Sequence, residues 1–97
     1  MNIRYHLQGI EFEWDENKAR INRMKHGVTF EEAAEAFFDP FYQEGGAFEN
    51  DEQRDFIIGY SFAQHLLLVV YTERGPRTRI ISARPATRAE KKLYEEA

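Results

Sequence analysis

Residues 10–14, "IEFEW", alternate apolar and acidic side chains, the pattern of a short half-exposed strand. Asp15 follows as a good helix N-cap, Glu16 suits the positive end of a helix dipole, and Gly27 after Lys25 and His26 supplies a stop beneath two cations. The pattern therefore predicts a first helix over 16–26. Its apolar stripe is thin, mainly Ile21 and Met24 with Ala19 nearby. Lys18, Asn22 and Lys25, spaced by four and three, share one polar, basic face.

A stronger helix signal follows in "TFEEAAEAFFD". Thr29 stands three residues before Glu32, and Phe30, Ala33, Ala34, Phe37 and Phe38 form an apolar stripe that would anchor a core. Asp39-Pro40 ends this second helix. "EGGAFENDEQ" reads as a mobile acidic loop. Three strand patterns come next, "RDFIIGYSF", "HLLLVVYTE" and "RTRIISA", with links short enough for hairpins. The middle one is apolar on both faces, which places it inside the sheet. Strict alternation in the last puts Arg77, Arg79, Ile81 and Ala83 on one face and Thr78, Ile80 and Ser82 on the other. Pro85 stops that strand, and Thr87 with Glu90 repeats the capping-box spacing before a short final helix.

These elements predict an α+β fold: an antiparallel sheet of three strands, or four if "IEFEW" or Phe41 and Tyr42 add one, with two N-terminal helices and a short C-terminal helix. Ninety-seven residues, 42% of them hydrophobic, suit one domain over 1–97 with a true core. The absence of cysteine removes disulfides, thiolate metal sites and cysteine nucleophiles. The longest apolar run, residues 66–71, is too short to cross a bilayer, and no signal-length apolar stretch opens the chain, so a cytoplasmic protein is expected.

Charge changes the picture more than composition does. The net charge is −4, yet residues 31–55 carry nine acids and one base, Arg54, whereas residues 74–92 carry seven bases and one acid, Glu90. Lys18, Arg20, Arg23 and Lys25 form a second basic group without an intervening acid. Such segregation creates local potential that the net charge conceals.

No glycine-rich phosphate loop, nucleophile elbow or zinc-protease motif is present, and His6, His26 and His65 lack metal-ligand spacing. Chemistry would have to come from basic and polar side chains. RNA permits this, because its 2′-hydroxyl is an internal nucleophile. An enzyme need only help deprotonate that hydroxyl, stabilise the charged phosphorane and assist the leaving 5′-oxygen. Arg84, where a strand meets a capped helix, suits phosphate recognition, or else pairs with a carboxylate and fixes the corner. Arg79 admits phosphate contact or a cross-strand salt bridge equally. Arg88, Lys91 and Lys92 read as solvated helix cations that can also reach a ligand. His26 with Lys25 offers a proton acceptor and a cation, though a histidine at a helix end more often serves the dipole. Arg54 is either held among acids or brought by folding to the basic side. Trp14, Tyr60, Tyr71 and Tyr94 could stack on bases but more often belong to a core.

"FEWDENKARINRMKHGVTFEEAAEAFFDP", Arg54, "IGYS", "LLLVVYTER" and "RIISARPATRAEKKLYEE" resemble the BrnT family of bacterial toxins, over residues 12–96. The resemblance implies a type II toxin of the RelE-like ribonuclease superfamily, which cleaves RNA without metal or cofactor. It also implies a BrnA-type ribbon-helix-helix antitoxin that blocks the toxin and carries it to promoter DNA. By position it gives Lys25, His26, Arg54 and Arg84 catalytic roles and Lys18, Asn22, Arg79 and Arg88 roles in RNA binding, with Ser82 beside them. The first nine residues exceed the family's usual start and receive no function. A competing class is a catalytically inactive module that captures an acidic antitoxin segment and acts in promoter autorepression. Direct DNA recognition is weaker, because neither early helix has a continuous basic face.

Overall fold

The alternation at 10–14 does produce a strand, and its last residue starts a helix. Asp15 closes strand β2 (Ile10–Asp15), and its carboxylate accepts the Lys18 N–H at 3.0 Å to cap α1 (Glu16–His26). Gly27, at φ 71°, ends α1 in the left-handed conformation that glycine adopts without steric cost. Thr29 caps α2 (Phe30–Glu35) through the Glu32 N–H, and a single 3₁₀ turn, Ala36–Phe38, carries the chain to Asp39 and Pro40. The computed structural model describes residues 1–49 and 52–97.

The remaining elements are β1 (Asn2–Leu7), β3 (Gln43–Glu49), β4 (Glu52–Tyr60), β5 (Leu66–Arg74), β6 (Arg77–Pro85) and α3 (Arg88–Glu95). The strands form one sheet in the order β1-β2-β6-β5-β4-β3. As expected, β4, β5 and β6 make an antiparallel meander with β5 inside. The expected three or four antiparallel strands are nevertheless too few, for three physical reasons.

First, the opening residues pair with β2 as an antiparallel hairpin, because Ile3, Tyr5 and Leu7 alternate with polar residues and lie opposite Trp14, Phe12 and Ile10. Second, β2 runs parallel to β6, with Phe12 opposite Thr78 and Glu13 opposite Arg79, so the sheet is mixed. Third, the expected acidic loop is the β3–β4 hairpin, in register from Gln43 opposite Ile58 to Glu49 opposite Glu52. Asn50 and Asp51, which belonged to that expected loop, lie outside the described residues.

α1 and α2 cover one face of the sheet. Phe12, Trp14, Ile57, Leu67, Val69, Tyr71, Ile80 and Ala83 meet Val28, Phe30, Ala33 and Ala34 there, all buried. Each large side chain so buried contributes roughly 1.5–3 kcal/mol. Aromatic edges lock the layer: Trp14 packs on Phe30 at 5.8 Å and Phe37 on Tyr71 at 5.0 Å, which assigns Trp14 and Tyr71 to the core. Gly59 lets the 3₁₀ turn approach β4, since a Cβ there would stand 2.7 Å from the Ala36 carbonyl oxygen. Beyond the end of β4, Tyr94 of α3 packs edge-on against Tyr60 at 5.3 Å and donates its hydroxyl to Asp39 at 2.7 Å.

Candidate functional site

Arg84 reaches the sheet face opposite α1 and α2, where Arg79 already lies, because β6 carries one extra residue between them. Val70 stands opposite Ser82 but Tyr71 opposite Ile80, so Ile81 is a bulge. Directly paired residues share a face. Arg79, opposite Thr72, and Arg84, opposite Leu68, therefore project from one side together with Ser82, while Ala83 joins Ile80 in the core. The alternation expected from the sequence is corrected here: Ala83 does not share a face with Arg79.

Four elements bring cations together on that side. Lys18 from α1, Arg54 from β4, Arg74 from β5 and Arg79 from β6 line a cleft of about 410 Å³ with Thr72, Glu73 and Ile81. Lys18 can reach it because β2 pairs with β6 at only two positions before the chain turns into α1. Beyond those positions α1 borders β6 instead. Asn22 completes the join: its amide donates to the carbonyls of Ala83 at 2.8 Å and Val28 at 3.1 Å and accepts the Ala83 N–H at 3.1 Å. Its side chain is buried and fully used, whereas Lys25, from the same expected face, is exposed.

Arg74, Arg79 and Arg84 on this face each meet a carboxylate. Glu13, only 4% exposed, accepts Arg79 at 2.6 Å and lies 3.7 Å from Arg74 and 4.0 Å from Arg77. Asn2 of β1 supplies Arg79 with a second acceptor at 2.8 Å. Arg84 makes a two-pronged pair with Glu90 at 2.7 and 2.8 Å, and Glu90 also closes the capping box with Thr87. The Arg84 guanidinium holds the Glu90 carboxyl below its ordinary range, a pull that outweighs the opposing effect of burial. Arg88, in the first turn of α3, is exposed.

His26 does not line the basic cleft. It borders a second cavity of about 520 Å³ at the other end of the sheet, with Val28, Glu32, Tyr60, His65, Leu67, Pro85 and Lys91. Folding thus unites Lys18, Arg54 and Arg79, leaves His26 with other partners, and sets Arg84 on β6 between the two cavities. Glu13 had no role in the sequence alone, Arg74 was only one of the seven bases of 74–92, and His65 was weighed only as a metal ligand. The "EFEW" alternation carried a signal for Glu13, but its partner strand is 66 residues distant.

Residues 14–90 match the family model described as ribonuclease toxin, BrnT, of type II toxin-antitoxin system. The chain belongs to the BrnT family. Among solved structures, the Brucella abortus ribonuclease toxin BrnT is similar, with a TM-score of 0.60 and 24% identity, over 77% of this chain and 94% of that one. At this identity the likeness shows the BrnT fold. No curated protein matches the chain. The family match begins at Trp14, so β1, Glu13 and most of β2 precede the BrnT span, while Lys18, Arg54, Arg79 and both histidine-bearing walls of the second cavity fall within it.

Proposed function

We propose that this BrnT-family chain is a metal-independent endoribonuclease that inhibits translation and growth. We further propose that a BrnA-like ribbon-helix-helix antitoxin neutralises it, and that promoter DNA is met only through that complex. The observation that carries the reading is the convergence of Lys18, Arg54 and Arg79, from three separate elements, on one cleft. Arg74 adds a fourth cation there. Such a cluster recognises closely spaced phosphates and not an isolated anion.

In this reading the RNA backbone crosses the sheet along β6. Lys18, Arg54 and Arg79 grip phosphates, Arg84 stabilises charge at the strand end, and His26 transfers a proton in the neighbouring cavity. Lys25 and Arg88, both exposed, add flanking contacts. Asn22 acts through the backbone it holds. The ribose 2′-oxygen attacks phosphorus, the bond to the 5′-oxygen breaks, and a 2′,3′-cyclic phosphate and a 5′-hydroxyl result.

Incubation of the purified protein with RNA in EDTA tests this. Cleavage is expected, with the affinity of Lys18→Ala and Arg54→Ala variants about tenfold weaker and steeply salt-dependent. Tight binding without cleavage would favour the inactive antitoxin-binding module instead.

A further inference from the structure

Glu32 of α2 is the centre of a small network in the cavity at the sheet end. Its Oε2 lies 2.7 Å from His65 Nδ1 and accepts the Ser61 hydroxyl at 2.8 Å. Ser61, 1% exposed, in turn accepts the His65 backbone N–H at 3.2 Å. An ionised carboxylate can only accept, so Nδ1 carries the hydrogen in this bond and Nε2 is the ring atom left for other partners. Ser61 fixes both the carboxylate and the backbone of the histidine, so the ring is anchored at two points. The imidazole itself is 65% exposed, within reach of a ligand.

Across the cavity stand His26 from the last turn of α1, Tyr60 from the end of β4 and Lys91 from α3, over an apolar floor of Val28, Leu67 and Pro85. Two imidazoles, one oriented by a carboxylate, and an ammonium can supply the base, the acid and the phosphorane contact of RNA transesterification. From Arg79, opposite Thr72, to Pro85, opposite Leu67, the ladder advances five steps, about 17 Å at the usual rise. The phosphate-gripping cleft and the histidine cavity are therefore separate stations along one strand.

We propose that this cavity is the cleavage site and that His65 is its general acid, with Glu32 as positioning residue, His26 as general base and Lys91 facing the phosphate. The proposal rests on the ribonuclease reading above. His26 removes the 2′-hydroxyl proton as the 2′-oxygen bonds to phosphorus. The bond to the 5′-oxygen breaks as His65 Nε2 delivers its proton to that oxygen. One proton enters the protein and one leaves it, so no further reactant is consumed.

The experiment compares wild type, His65→Ala, His26→Ala, Glu32→Gln and Lys18→Ala in EDTA on an oligoribonucleotide cleaved at one mapped linkage. A second substrate replaces the 5′-bridging oxygen of that linkage by sulfur, whose thiolate leaves without protonation. On the oxygen substrate, His65→Ala is expected to lose about 100-fold or more in kcat with KM little changed, and Glu32→Gln about tenfold. Lys18→Ala should raise KM instead. On the sulfur substrate His65→Ala and Glu32→Gln should return close to the wild-type rate, while His26→Ala stays impaired. A purely structural role for His65 would depress both substrates alike, and that result overturns the assignment. Full activity of His65→Ala also overturns it while leaving the ribonuclease reading intact. Failure of the wild type to cleave any RNA removes both. His65 is an exposed turn residue, and matching melting curves for wild type and His65→Ala exclude unfolding as the cause.

Discussion

The side-chain amide of Asn22 pairs with both backbone polar atoms of Ala83, donating to the carbonyl at 2.8 Å and accepting the N–H at 3.1 Å. It does for β6 what an adjacent strand's peptide would do where β2 has already turned away into α1. Asn22→Ala leaves the Ala83 N–H and the Ala83 and Val28 carbonyls without this partner, a loss of about 3 kcal/mol. Asn22→Asp keeps one acceptor but sets a charge against two carbonyl oxygens, so it should cost at least as much at pH 7. Urea denaturation measures both. A loss under about 1 kcal/mol for the alanine variant would show that water takes over the role.

Glu13 and Arg79, 2.6 Å apart, make a second testable link, between stability and ligand affinity. The buried carboxylate neutralises the guanidinium that the proposed RNA contact needs. Glu13→Gln should therefore lower stability by about 2 kcal/mol, since arginines beside it lose their counter-charge. The same change frees Arg79 for phosphate. RNA affinity should rise several-fold, and the slope of log affinity against log salt should steepen by about 0.7. Fluorescence anisotropy across a salt series reads this directly, and unchanged affinity would place Arg79 outside the RNA path.

How far the sequence reveals this arrangement depends on the range of each interaction. α1 was legible to its ends because Asp15, Glu16 and Gly27 encode it locally. The capping box of Thr87 and Glu90 was legible for the same reason, and so was the interior position of β5. The parallel pairing of β2 with β6 was not, because nothing local specifies a partner more than sixty residues away. The bulge at Ile81 was invisible too: it leaves an ordinary apolar residue in the strand and shifts only the phase of Ser82, Ala83 and Arg84 beyond it. That phase change carries Arg84 to the face of Arg79 and leaves Ala83 in the core. Asn22 illustrates the opposite error. Helical spacing placed it beside Lys18 and Lys25, but the free edge of β6 draws its amide inward.

Glu90 predicts a particular acid limb. Its carboxyl is held below the ordinary range, first by the Arg84 guanidinium and also by the Thr87 N–H, against the effect of burial. A depressed folded-state value means that the unfolded chain binds more protons as the pH falls below about 4.5. The stabilisation is thus present above that pH and is lost as the pH drops through the folded value. Glu90→Gln keeps an acceptor for the Thr87 N–H but loses the charge facing Arg84, so it should cost about 1 kcal/mol at pH 7 and flatten the stability profile between pH 5 and 3. Asp15 and Asp39, both also held below their usual range, leave a residual slope. Thermal melts over this range check the difference, and parallel profiles for the two proteins would sink the linkage.

Tyr94 and Asp39 govern the alkaline side. Burial, then the hydrogen bond to Asp39 and the nearby charge of that carboxylate, push the Tyr94 hydroxyl up to about 12. Between pH 10 and 12 the folded protein keeps a proton that the unfolded chain has lost, so stability falls as the pH rises through this window. Tyr94→Phe retains the edge-on packing against Tyr60 but removes the donor to Asp39, whose carboxylate keeps the N–H groups of Phe41 and Tyr60. The expected loss is about 1.5 kcal/mol at pH 8, in line with a hydrogen bond to a charged acceptor. The difference from wild type should shrink as the pH climbs from 10 to 12, because the variant has no proton to lose there. Tyr71, also raised to about 12, remains in both proteins and preserves part of the alkaline decline. Urea midpoints at pH 8, 10 and 11.5 separate these contributions, and a constant difference across them would mean that ionisation of the Tyr94 phenol is not linked to folding.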